Sequence, residues 1–187
     1  MRDNQITLFG LTWKSIVSHS LTYFLVGLVA SVVFNYSADF ARPELRTYMR
    51  QIGDPIIALG PVLQLLRGIL FALAFYPLRE ILFKKQNGWL ITWWLLVALG
   101  IFSTFAPASG SVEGAIYTTL PILDQFFSGG MVEILTQSLL FSALLYYWVN
   151  NPEKRWLNWV LGSLFALVLL MSLLGYLAAS GAIVVPS

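Results

Sequence analysis

Residues 157–179 read LNWVLGSLFALVLLMSLLGYLAA and contain no charged side chain. A helix that rises 1.5 Å per residue needs roughly 20 residues to cross the hydrocarbon core of a bilayer. Backbone N–H and C=O groups in hydrocarbon have no water to bind, so such a stretch crosses as a helix. This segment therefore predicts a transmembrane helix.

Four more apolar stretches of similar length precede it. The whole chain is 58% hydrophobic and 11% charged, whereas roughly a quarter of the residues of an average soluble domain are charged. The first stretch is longer than the apolar core of a signal peptide, so we expect it to be retained. The predicted fold class is all-α: a polytopic integral membrane helix bundle formed by a single transmembrane domain, 1–187. Its five spans are expected near residues 16–36, 56–78, 89–106, 131–149 and 157–179.

Two connections between these stretches show helical patterns of their own. In residues 43–52, Pro43 suits a first helical turn and apolar residues recur at helical spacing, which predicts a short helix lying in the membrane interface. Residues 111–127 have apolar residues on one helical face, and Ser111 is placed to cap the start. We expect a short external helix or a re-entrant segment there.

The distribution of basic residues predicts the orientation, because lysine and arginine concentrate in cytoplasmic loops. If the loops alternate in side, the N-terminal side carries Arg2, Lys14, Arg79, Lys84, Lys85, Lys154 and Arg155. The opposite side carries Arg42, Arg46 and Arg50. The tryptophans all lie near the first of these interfaces, where indole rings accumulate. We therefore expect a bacterial-type cytoplasmic membrane, with the N-terminus cytoplasmic and the C-terminus external.

Composition also excludes several classes of site. The chain has no cysteine and one histidine, His19, so thiolate chemistry is excluded and a dedicated zinc site is improbable. The formal net charge of +2 is too small and too scattered to indicate nucleic acid binding. We expect no metal, no cofactor and no nucleic acid partner.

Polar residues inside two of the predicted spans indicate a buried cluster. Arg67 lies in the middle of the second span, where a charge costs at least about 3 kcal/mol and requires a partner. Gln64 is on the same helical face as Arg67, and Glu133 and Gln137 share a face of the fourth span. The sequence predicts that these four side chains meet in the outer half of the membrane. Glu113, in the connection above, is the alternative carboxylate.

Two interpretations of this cluster stay open. A structural ion pair between Arg67 and Glu133 would fix how the helices pack. Alternatively, Arg67 would be the counter-charge for a polar or anionic ligand, such as a lipid headgroup or a small solute.

A catalytic interpretation has weaker support. Residues 108–111, Ala-Ser-Gly-Ser, are faintly similar to the serine loop of rhomboid proteases. In that family the histidine follows on a later helix, whereas His19 precedes this loop. His19 is instead expected to be a hydrogen-bonded residue near the cytoplasmic end of the first span.

The sequence therefore favours a non-enzymatic membrane protein. The first hypothesis is a subunit or accessory protein of a larger assembly, whose buried Arg, Glu and Gln contacts specify packing. The alternative is a small transporter or lipid-handling protein with an outward-facing polar site around Arg67, and the third is an intramembrane enzyme. The expected partners are membrane lipids, together with other membrane subunits or a second copy of the chain. Small residues four apart, such as Gly162 and Ala166, are suited to close helix packing.

Overall fold

A computed structural model describes residues 6–47 and 49–183, and these residues form helices and connecting loops with no β-strand. Tyr48 and the two chain ends lie outside the described residues. In chain order the helices are α1 (Leu8–Val33), α2 (Tyr36–Phe40), α3 (Pro43–Arg46), α4 (Pro55–Ala58), α5 (Gly60–Phe75), α6 (Arg79–Lys84), α7 (Gly88–Val97), α8 (Val112–Tyr117), α9 (Ile122–Phe126), α10 (Gly129–Asn150) and α11 (Arg155–Ala179). A π-helical turn, Ala98–Phe102, continues α7.

Three helical segments in the described ranges are long and apolar enough to cross a membrane. They are α1 (Leu8–Val33), the segment Ile122–Asn150 that contains α9 and α10, and α11 (Arg155–Ala179). Two apolar helices, Gly60–Phe75 and Gly88–Phe102, are shorter. The all-helical class is thus confirmed, and the three long helices fit an integral membrane location.

The predicted second span, 56–78, forms two helices. Pro61 has no N–H group and its ring crowds the carbonyl of Ile57, so the helix is interrupted at Leu59. The Ser172 hydroxyl of α11 donates a hydrogen bond to the Ala58 carbonyl at this break. The break is therefore stabilised by a neighbouring helix.

The predicted interfacial helix, 43–52, is shorter in the structure. Its helical part is α3, the four residues Pro43–Arg46. The Gln51 amide group instead donates hydrogen bonds to the Phe40 and Met49 carbonyls and fixes a turn. Asp54 then accepts a hydrogen bond from the Ile56 N–H and begins α4.

The segment predicted at 111–127 folds as two short helices, α8 and α9. The Ser111 hydroxyl accepts a hydrogen bond from the Gly114 N–H at 2.9 Å and caps α8, as its position predicts. Pro121 begins a new helix instead of continuing α8. The Gln125 side chain, 1% exposed, donates to the Leu120 carbonyl at 2.7 Å and holds the two helices together.

Helix α1 is the centre of the packing, because α5, α10 and α11 all contact it, while α7 packs against α10 and α6. Three buried serines of α1, Ser15, Ser18 and Ser20, have small side chains that suit close approach. The closest approach lies at Gly68 of α5, where a Cβ would be 2.5 Å from the Ile16 Cα atom. Backbone therefore meets backbone at this crossing, and only glycine fits there.

Replacing Gly68 with alanine should destabilise the fold. The added methyl group would overlap the α1 backbone, and overpacking of this kind costs typically about 1–3 kcal/mol. Thermal unfolding of the purified protein in detergent measures the effect. Gly162→Ala is the matched control, because a Cβ at Gly162 would meet only Trp13 Cζ2 at 3.9 Å among the described atoms. Equal stability of the two variants would contradict the close crossing.

Candidate functional site

A cavity of about 340 Å³ lies among α1, α5, α7 with its π-helical turn, and α10. Ala108 and Ser109, from the connection after the π-helical turn, also line it. Its volume is near the lower end of the range for small-molecule sites, about 300–1,000 Å³. The polar side chains that reach it include His19, Tyr23, Arg67, Glu133 and Gln137.

His19 is held at the wall of this cavity by two glutamines from different helices. Its side chain is 2% exposed. The Nε2 atom lies 3.0 Å from Gln64 Oε1, and the Nδ1 atom lies 3.0 Å from Gln137 Nε2. An amide oxygen accepts and an amide nitrogen donates, so these contacts require a neutral ring that carries its proton on Nε2. The Gln64 amide group is itself oriented by donating to the Gly60 carbonyl at 3.2 Å.

Aromatic rings pack against this imidazole. The centroids of Phe71 and Phe141 lie 5.0 and 5.1 Å from that of His19, both at edge-to-face angles. These two phenylalanines also pack against each other, with centroids 5.3 Å apart. They form an apolar floor to the cavity and shield the hydrogen bonds of His19 from competing polar groups.

Arg67 is the cation of the cavity. Arg67 projects from α5, lines the cavity and is exposed. Among residues 6–47 and 49–183, no carboxylate lies within 4.0 Å of its guanidinium nitrogens. Arginine carries five N–H donors in a planar arrangement that matches a carboxylate or phosphate. The guanidinium group of Arg67 therefore offers its donors to the cavity, and no carboxylate of the described residues pairs with it at contact distance.

Glu133 of α10 supplies the negative charge of the cavity, and Tyr36 binds it. The Tyr36 hydroxyl donates a hydrogen bond to Glu133 Oε2. A phenol hydroxyl is a donor and a carboxylate is an acceptor, so the direction of this hydrogen bond is fixed. Glu133 Oε1 lies beside Gly27 of α1, where an added Cβ would be only 3.3 Å away. The carboxylate is thus fixed between the end of α1 and the start of α10.

The structure brings together part of the cluster expected from sequence. Gln64 and Gln137 meet through His19, which the sequence prediction placed elsewhere. Arg67 and Glu133 line the same cavity as Gln137, but no ion pair joins them within the described part of the chain.

Glu113, the alternative carboxylate, lies in the first turn of α8. It is outside the set of described residues that line the cavity. Glu133 is therefore the carboxylate that shares the cavity with Arg67.

His19 was not predicted to join the polar cluster, because the first apolar stretch was predicted to begin at Ile16. In the structure α1 begins at Leu8, after Thr7 accepts a hydrogen bond from the Gly10 N–H. His19 is therefore eleven residues inside a long helix instead of one turn from its end. The charge of Lys14 made residues 8–15 look unlike part of an apolar helix. In the structure the Lys14 ammonium group donates a hydrogen bond to the Trp148 carbonyl at 2.9 Å.

His19 is not placed to act as a general base for Ser109. Ser109 and His19 line the same cavity. However, the Nε2–H of His19 is donated to Gln64, and its Nδ1 lone pair is occupied by Gln137. A base needs a free lone pair directed at the hydroxyl group.

Among the described residues, no group of three or more histidine, aspartate or glutamate side chains is arranged to hold a metal ion. Comparison of the chain with known protein families, with curated proteins and with solved structures finds no match.

The tautomer of His19 can be measured directly, because the chain has one histidine. With ¹⁵N-labelled histidine in detergent near neutral pH, nuclear magnetic resonance should show a protonated Nε2 and an unprotonated Nδ1. Gln137→Leu removes the donor to Nδ1 and should shift the Nδ1 resonance most strongly. A protonated Nδ1 in the wild-type protein would contradict the hydrogen-bond directions.

Proposed function

We propose that this chain is a non-enzymatic, multi-pass membrane protein whose cavity binds the anionic group of a small ligand. The observation that supports this is Arg67, a cation in the cavity wall with no carboxylate at contact distance among the described residues. A charge in the interior of a membrane protein is costly and usually marks a pathway or a ligand site. An anion bound at Arg67 would offset that cost.

The rest of the cavity favours a ligand with both polar and apolar parts. Gln137, Tyr23 and Ser109 offer hydrogen-bonding groups near the charged residues. Phe71 and Phe141 offer an apolar floor. An anionic headgroup attached to a short apolar segment fits this division, because few polar groups in an apolar pocket fix the orientation of a ligand.

We also propose the finer topology. Five spans would comprise α1, α4 with α5, α7 with its π-helical turn, α10 and α11. Residues 55–75 together extend about 30 Å at 1.5 Å per residue, which supports a crossing by α4 and α5 despite the break at Leu59. The basic residues and tryptophans support a cytoplasmic N-terminus in a bacterial-type cytoplasmic membrane.

This topology can be tested with single cysteines, since the natural chain has none. A membrane-impermeant maleimide added to intact cells should label Thr119→Cys, which lies in the connection proposed to be external. Glu153→Cys, in the connection between α10 and α11, should be labelled only after the membrane is permeabilised. Both positions are exposed, so a difference in labelling would report the side of the membrane and not burial in the protein. The reverse pattern would overturn the orientation.

The subunit hypothesis stays a prediction alongside the ligand-binding proposal. The Gln64–His19–Gln137 contact links three helices and supports the part of that hypothesis in which polar contacts specify packing. Extraction in a mild detergent distinguishes the two: co-migration with a fixed partner supports the subunit role. A solitary protein that binds an anionic ligand supports the cavity role.

Binding at Arg67 can be measured with hexyl phosphate, a water-soluble anionic amphiphile. A ligand that binds the folded state raises the unfolding temperature, so hexyl phosphate should stabilise the wild-type protein more than neutral hexanol does. Arg67→Gln should weaken binding by about 10- to 150-fold, because a hydrogen bond to a charged group is worth about 1.5–3 kcal/mol.

Arg46→Gln is the matched control for this measurement. Arg46 is an exposed arginine of α3 outside the set of described residues that line the cavity. Its replacement should leave the stabilisation by hexyl phosphate unchanged. Equal loss in both variants, or no stabilisation of the wild-type protein, would overturn the proposal.

A further inference from the structure

The side of the cavity between α5 and α7 is incompletely closed. Helix α5 packs mainly on α1, and α7 packs mainly on α10 and α6, so neither helix holds the other at close range. At the level of the floor, the side chains of Phe71, Phe75 and Leu95 join one hydrophobic cluster and fill the gap.

At the level of Arg67 the gap is open. Gly100, in the π-helical turn, lines the cavity opposite α5, and a Cβ built on it would meet no described atom within 4 Å. Arg67 and Gly100 are both exposed although both line the cavity. The cavity therefore has an opening bounded by α5 on one side and by the π-helical turn on the other.

The rim of this opening is apolar. Leu66, next to Arg67, is 65% exposed, and Leu99, next to Gly100, is 64% exposed. A π-helical turn is rare in proteins and occurs often at functional sites, because it widens the helix and changes which residues face inward. Here it brings a glycine to the rim and leaves room beside it.

The depth of the opening indicates what it faces. Arg67 lies twelve residues after the start of α4, roughly 18 Å along a crossing of about 30 Å. In the proposed topology an opening at this depth faces acyl chains and not water. A molecule that enters sideways here must carry an apolar portion, and a molecule that stays must offer a partner to Arg67.

We propose that the ligand is an anionic lipid that enters from the bilayer between Arg67 and Gly100. This inference rests on the proposed function, since it names the source of the anion. The headgroup, a phosphate or carboxylate, would bind Arg67 inside the cavity. A space of about 340 Å³ suits a headgroup with the first part of a chain, and the opening lets the remaining chain stay among the lipids.

The experiment uses the full chain in phosphatidylcholine vesicles that contain phosphatidic acid with a photoreactive diazirine on one acyl chain, close to the headgroup. On illumination, the wild-type protein should be cross-linked near the rim, in the peptides that contain Leu66 or Leu99. Gly100→Phe should fill the opening and lower cross-linking at least about tenfold. Gly100→Ala, which adds a methyl group in open space, should match the wild-type protein.

Binding of hexyl phosphate in detergent separates this inference from the proposed function. Gly100→Phe should retain that binding, because a short water-soluble anion does not need the lateral opening. If wild-type protein binds hexyl phosphate but is cross-linked no more strongly than the Arg67→Gln variant, the lipid inference fails and the proposed function stands. If it binds neither probe, both fail.

Two further outcomes are decisive. If Gly100→Phe is cross-linked as strongly as Gly100→Ala, the opening is not the entry route and the inference is overturned. If Gly100→Phe neither binds hexyl phosphate nor is cross-linked to the lipid, the position of the cross-links in the wild-type protein decides whether the lipid enters between α5 and α7. Cross-links at the peptides of the rim support entry between α5 and α7, and cross-links confined to other helices overturn it.

Discussion

A polar group without a partner costs several kcal/mol in hydrocarbon, and this constraint governs the structure of the chain. It makes every long apolar stretch helical, because a helix satisfies its own backbone. Hydrogen bonds also lie at irregular points: Ser172 donates to the Ala58 carbonyl at the break before α5, and Tyr36 donates to Glu133 just after the end of α1. In each case a side chain from one element meets a polar group of another.

The same constraint gives His19 its role. An imidazole inside α1 needs one donor and one acceptor, and α5 and α10 each provide a glutamine with the required orientation. The three helices are thereby fixed relative to one another at one depth, while the contact at Gly68 brings α5 against the backbone of α1. Polar satisfaction and close packing together set the position of the cavity wall.

Arg67 departs from this pattern. Two of its neighbours on the cavity wall have partners within the described chain: Glu133 has Tyr36, and Gln137 has His19. Arg67 instead lines the cavity together with Gly100, and both residues are exposed. A cation that lines a cavity with no carboxylate at contact distance among the described residues can be neutralised by an anion from outside the chain. That is the basis for proposing an anionic ligand.

The sequence by itself determined the helical class and apolar segments suited to a membrane, because these follow from hydropathy and helical periodicity. It also determined the cap at Ser111 and singled out Gln64, Arg67, Glu133 and Gln137. Only the tertiary structure decided how they pair. In the described residues His19 contacts Gln64 and Gln137, and Tyr36 contacts Glu133, while no ion pair joins Arg67 to Glu133. Spacing along a helix fixes which residues share a face, but it carries no information about which helix that face meets.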